Sequence, residues 1–204
     1  MTRAPQRALS RRVTRSERET VALGERLGRL LAPGDVVALR GELGAGKTQF
    51  VRGACRGAGV PRDEVASPSF AIVATYRGRL PVHHADLYRV ADYDELYGTG
   101  FCDLVGREGA TLVEWADRVP EALPDDRLEI LLSHDPRRPS ARRLEIVGTG
   151  ARHAALARAL GRPRRRPRAA RQSPRRPEKR GAGRRGRGPS EGPRPRGPKS
   201  RVRE

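Results

Sequence analysis

GELGAGKT, residues 41–48, is the stretch on which the reading of this chain turns. Gly41, four residues, then Gly46, Lys47 and Thr48 is the spacing of a phosphate-binding loop, in which glycines let backbone N–H groups curl around an anion. Immediately before it, DVVALR at 35–40 is a short β-branched run. Immediately after it, TQFVRGACRGAG at 48–59 has helical spacing that ends at Gly57 or Gly59. Strand, loop and helix in that order separate a working phosphate loop from a chance match.

The loop predicts a nucleotide but no reaction, since kinases, GTPases, ATPases and transport motors all use it. Lys47 is expected at the β- and γ-phosphates and Thr48 at Mg²⁺. Glu42, Leu43, Gly44, Ala45, Gly46 and Gln49 complete the phosphate-facing segment at a positive helix end. Guanine recognition in such proteins usually relies on an asparagine-containing motif, and this chain has no asparagine. ATP is therefore the expected nucleotide.

Phosphoryl chemistry also needs a carboxylate to organise the cation and position water. ATLVE at 110–114 is an apolar run ending in an acid, so Glu114 is expected at the strand end where a metal-organising carboxylate belongs. Asp86, in HHADLYR at 83–89, is a second strand-end acid. Both are predicted as catalytic. His83 and His84 fall on opposite faces of one strand, which disfavours joint chelation and predicts one packed and one exposed ring. Tyr88, Tyr93, Tyr97 and Phe101 are expected to form a satellite core. Trp115, directly after Glu114, is expected on the opposite face, as packing or as a contact surface.

Around this centre, Ser16 and Glu19 have the form of a capping box opening a helix with leucines at 23, 27, 30 and 31. FAIVATY and LPVHHADLY flank Arg77-Gly78-Arg79 as a hairpin, residues 91–110 suggest short helical turns, and RLEILLSH and RRLEIVG form a late second hairpin. ARHAALARAL closes the domain as a helix. The expected fold is α/β: a mixed, mostly parallel sheet flanked by helices, of the P-loop NTPase kind.

The chain has 204 residues and a net charge of +19, and nearly all of that charge sits at its ends. In residues 161–204 Lys and Arg outnumber Asp and Glu by 18 to 3, and residues 1–15 hold five arginines and no acid. These segments predict a basic N-terminal extension at 1–15, a folded domain at 16–160 and an Arg/Pro/Gly-rich tail at 161–204, with both ends disordered. The tail reads two ways: as an RNA contact that works by counterion release, or as the drift expected of a chain with 40 arginines and 3 lysines. Two cysteines without C-x-x-C spacing, no apolar run of membrane length and no secretory pattern suggest a reducing, cytoplasmic setting.

Taken together, GELGAGKT, SPSF at 67–70, HADLYR at 84–89, LVEWADR at 112–118 and LPDDRLEI at 123–130 resemble the bacterial ATPase family of tRNA threonylcarbamoyladenosine biosynthesis, TsaE (YjeE-like). The resemblance covers about residues 16–160. It implies a small cytoplasmic ATPase that uses ATP and Mg²⁺ and works with a threonylcarbamoyl transferase (TsaD) and its inactive paralogue (TsaB). Together they modify the adenosine beside the anticodon of tRNA. It also implies that Lys47 and Thr48 hold phosphate and Mg²⁺, that Asp86 and Glu114 serve hydrolysis, that Ser67 and Ser69 lie in a switch-like loop, and that Trp115 is the aromatic beside the acid. Ser69 stands where the family usually has threonine, and Asp117 where it tends to have glutamate. The alternatives from residues alone are a small-molecule or nucleotide kinase and an RNA-binding P-loop protein.

Overall fold

A computed structural model describes residues 6–62, 65 and 72–162. Seven strands form one sheet in the order β1-β7-β6-β2-β5-β4-β3. These are β1 (Arg7–Thr14), β2 (Val36–Arg40), β3 (Val73–Arg77), β4 (Pro81–Asp86), β5 (Ala110–Glu114), β6 (Leu128–Asp135) and β7 (Arg138–Thr149). The four central strands, β6, β2, β5 and β4, run parallel to one another, and β3, β7 and β1 are added antiparallel at the two edges. The late hairpin is thus β6–β7, grafted onto the parallel centre through β6.

Helices α1 (Glu17–Gly28), α2 (Lys47–Gly57) and α5 (Gly150–Gly161) bury one face of the sheet around Leu27, Leu39, Phe50, Leu112 and Ile130. The short helices α3 (Tyr93–Gly98) and α4 (Phe101–Leu104) cover the other face of the β2-β5-β4 region with Leu96 and Phe101. Ser16 caps α1, accepting from Glu19 N at 3.3 Å, while the Glu19 carboxylate reaches back to Arg15 N at 2.8 Å. The first bond satisfies an orphan N–H of the helix's first turn, and the second ties the residue before the cap to it. α1 and α2 pack backbone against backbone. A Cβ on Gly24 would sit 2.1 Å from Phe50 O, and one on Gly53 2.1 Å from Val21 O, so only glycine fits at either place.

The N-terminal segment requires a correction. Residues 1–15 were expected to lie outside the fold, but Arg7–Thr14 is an edge strand paired with β7 from Arg7↔Thr149 to Thr14↔Arg142. Ala8, Ser10, Arg12 and Thr14 turn inward while Arg7, Leu9, Arg11 and Val13 face solvent, so the strand's period of two is carried by small and long polar residues. Composition alone reads such a stretch as a basic arm. The expected basic tail at 161–204 lies outside the described residues from position 163 onward.

Candidate active site

β2 ends at Arg40, and the loop after it re-enters as α2 at Gly46, whose φ of 99° no side-chain-bearing residue adopts comfortably. α2 has no side-chain N-cap, so its first N–H groups remain available to an anion. The Lys47 ammonium is buried and donates to the carbonyls of Gly41 at 2.6 Å and Glu42 at 2.9 Å. Burial pushes its pKa down, a tendency opposed by the nearby negative charges of Glu114, Asp117 and Asp86. A buried, partly desolvated cation at the mouth of an anion-binding loop interacts strongly with phosphate.

Parallel pairing assembles the rest. β2, β5 and β4 point the same way, so their C-terminal ends lie side by side, with Leu39 opposite Glu114 and Glu114 opposite Asp86. Glu114 is 2% exposed, and each of its oxygens has a partner. Oε2 accepts from the Thr48 hydroxyl at 2.8 Å, and Oε1 lies 3.0 Å from His84 Nε2. Asp86 Oδ1 accepts from Tyr88 N at 3.1 Å, which fixes the carboxylate at the end of β4. Lys47, Thr48, Asp86 and Glu114 line one cleft of about 870 Å³, together with Gly46 and Gln49. Glu42 and Leu43 lie on the exposed rim of the loop, and Ala45 is buried beneath it. Ser67 and Ser69 fall outside the described residues.

Three expectations are corrected here. Trp115 does not turn to the face opposite the acid: its φ of 58° breaks the alternation of the strand, and its ring lies over Lys47, with Nζ 3.5 Å from the ring centroid. His83 and His84 are both buried, at 6% and 0% exposure. His83 pairs with the Thr75 hydroxyl at 3.0 Å, and His84 faces Glu114. Phe101 belongs to the second core as expected, but Tyr88, Tyr93 and Tyr97 are exposed, with Tyr88 packed 4.9 Å from the Trp115 ring at the cleft.

Two site residues escaped sequence reasoning. His84 could have been found from its place two residues before Asp86 on the same strand face. Arg142 carries no such signal. It reaches from β7 to brace the loop, donating to Ala45 O at 3.1 Å and Gly44 O at 3.3 Å, across 97 residues of chain in the first of these bonds.

Comparisons with known proteins agree on one family. The model of the threonylcarbamoyl adenosine biosynthesis protein TsaE matches residues 14–144. The tRNA threonylcarbamoyladenosine biosynthesis protein TsaE of Treponema pallidum is 41% identical over 120 residues, which is 59% of this chain and 88% of that one. The Bacillus subtilis protein of the same name is 42% identical over 115 residues, covering 56% of this chain and 71% of its own length. The Streptomyces coelicolor relative is 36% identical over 138 residues, covering 65% and 92%. The crystal structure of Bacillus subtilis YdiB superposes with a TM-score of 0.62 at 31% identity, covering 78% of this chain and 97% of that one.

Proposed function

The chain belongs to the TsaE family and has a role in the biosynthesis of threonylcarbamoyladenosine in tRNA, and from that premise we propose that it hydrolyses ATP in the cleft between the 41–48 loop and Glu114. One observation carries this reading: the loop's Thr48 hydroxyl and the β5 carboxylate meet at 2.8 Å, although 66 residues separate them in sequence. A loop built only to hold phosphate needs no such acid.

The residues present suit a hard divalent cation. Among the described residues no cluster of three His, Cys, Asp or Glu could hold a metal unaided. A hydroxyl and one carboxylate beside a phosphate loop is the donor set with which Mg²⁺ binds when nucleotide oxygens and water complete its shell. Thr48 and Glu114 would hold it, and it would supply charge neutralisation on the transferred phosphoryl group. Lys47 binds the terminal phosphates, for which it gives up carbonyl partners. The α2 N-terminus orients them. Glu114 and Asp86 present acceptors for the proton of an attacking water, and the burial of Glu114 at 2% exposure leaves its charge little screened by solvent.

The hydrolysis is coupled to a threonylcarbamoyl transferase and its inactive paralogue, in the cytoplasm. No helix among the described residues is long and apolar enough to cross a membrane. Phosphate release from Mg·ATP, measured with the chain alone and with the purified transferase pair, tests this. Slow turnover alone and faster turnover with the pair is the expected result. An unchanged rate and ATP affinity overturns the coupling, and a labelled phosphometabolite in place of free phosphate overturns hydrolysis in favour of a kinase.

A further inference from the structure

We propose that His84 is a positioning residue for Glu114: as the Nε2–H tautomer it donates to Oε1 and so keeps Oε2 turned toward Thr48 and the phosphate loop. This rests on the hydrolytic reading above and names a part of the machinery that the reading leaves open.

The strand register creates the pair. On β4, His84 stands opposite Leu112 and Asp86 opposite Glu114, so His84 and Glu114 are diagonal neighbours on the face covered by α2. Both side chains are removed from solvent, His84 at 0% and Glu114 at 2% exposure. A glutamate has three rotatable bonds, and here its orientation is set by one bond on each oxygen: Thr48 at 2.8 Å and His84 at 3.0 Å.

The tautomer follows from what surrounds the ring. His84 Nδ1 is buried without a hydrogen-bond partner among the described residues. A proton placed there would leave an unpaired N–H in the interior and set two lone pairs against each other across the 3.0 Å gap to Oε1. A proton on Nε2 makes a charge-assisted bond to the carboxylate instead. Without that donor, Oε1 would be left buried without its hydrogen bond, and the carboxylate would be free to rotate away from Thr48. The adjacent His83 serves as an internal contrast, since it lies on the other face of β4 and bonds Thr75.

The test uses the full-length chain, with wild-type ATP turnover measured first. His84→Leu should lower kcat by about tenfold or more, the usual worth of a group that orients a functional side chain, while leaving the KM for ATP within about threefold. His84→Gln places an amide nitrogen near the position of Nε2 and should restore most of the rate. In a Glu114→Gln background, His84→Leu should add no further loss, because the two residues act as one unit. Nitrogen-15 NMR should find His84 protonated on Nε2 and bare on Nδ1, with the Nε2–H resonance moved by Glu114→Gln. The inference is overturned by near-normal kcat in His84→Leu, by a Gln variant as impaired as Leu, by losses that multiply in the double variant, or by a proton on Nδ1. If His84→Leu does not fold, the Gln variant and the NMR measurement decide. A wild-type chain without turnover removes the hydrolytic reading, while the NMR arm still judges the His84–Glu114 bond.

Discussion

The two halves of the sheet do different work with the same backbone geometry. In the parallel half, β2, β5 and β4 all finish at one edge, and each delivers a part of the candidate site there: the 41–48 loop, Glu114 and Asp86. In the antiparallel wing, β7 runs against β6 and β1 runs against β7, so successive ends alternate and no common edge collects side chains. That wing leaves Leu9 and Val13 exposed and reaches the cleft chiefly through Arg142. A site that needs several acids near one anion is therefore built from parallel strands, and the wing acts as its buttress.

This division of labour predicts how far substitutions separate chemistry from stability. The largest effect belongs to Glu114→Gln, which should cut turnover by about 10²–10³-fold, the scale for removing a single well-placed charge-handling group. ATP binding, followed by the fluorescence of the lone tryptophan Trp115 beside Lys47, should persist. Lys47→Ala should instead weaken ATP binding by about 10–100-fold, as expected when a charge-assisted hydrogen bond worth roughly 1.5–3 kcal/mol is lost, in the same fluorescence titration.

From the wing, Arg142→Ala removes two donors to loop carbonyls. It should raise the KM for ATP by about threefold to tenfold with kcat little changed, the effect of loosening a binding loop by roughly 1 kcal/mol. An Arg142→Ala enzyme crippled in kcat would place the wing inside the chemistry and erase the division.

Acid should act where α5 joins the parallel half. His153, on α5, accepts from Val36 N at 3.3 Å and needs a bare Nε2 to do so. Burial holds its pKa below the ordinary value of 6.5, an effect partly offset by Asp35. Between that lowered value and 6.5 the unfolded chain takes up a proton that the folded chain refuses, so stability falls as pH drops below 6.5. Melting temperature against pH should show this decline. His153→Gln should flatten it in part, since His83 is also lowered by burial and contributes with the same sign. The smallest effect is expected on the solvent face of β1. Val13→Thr should change stability by no more than about 0.5 kcal/mol in a denaturant melt, as is usual for exposed positions.

Much of the parallel half was legible because its signals are local. A glycine loop between a β-branched run and a helix, and an apolar run ending in Glu114, declare their structural elements within about ten residues of chain. β1 was hidden because an edge strand whose inward residues are Ala8, Ser10, Arg12 and Thr14 has no apolar alternation to detect. The ring of Trp115 is misplaced because strand alternation, carried one residue past Glu114, puts it on the opposite face, whereas a positive φ ends the alternation there.

By itself, then, the sequence determined that this chain carries a phosphate loop, which strand-end acids accompany it, and to which family the motif set belongs. Tertiary structure alone decided that Glu114 meets Thr48 on one oxygen and His84 on the other, and that Arg142 holds the loop. The physical reason is register. Loop and strand types follow from neighbouring residues, whereas contacts across 30, 66 or 97 residues exist only once hydrogen-bonded strands fix which ends lie side by side.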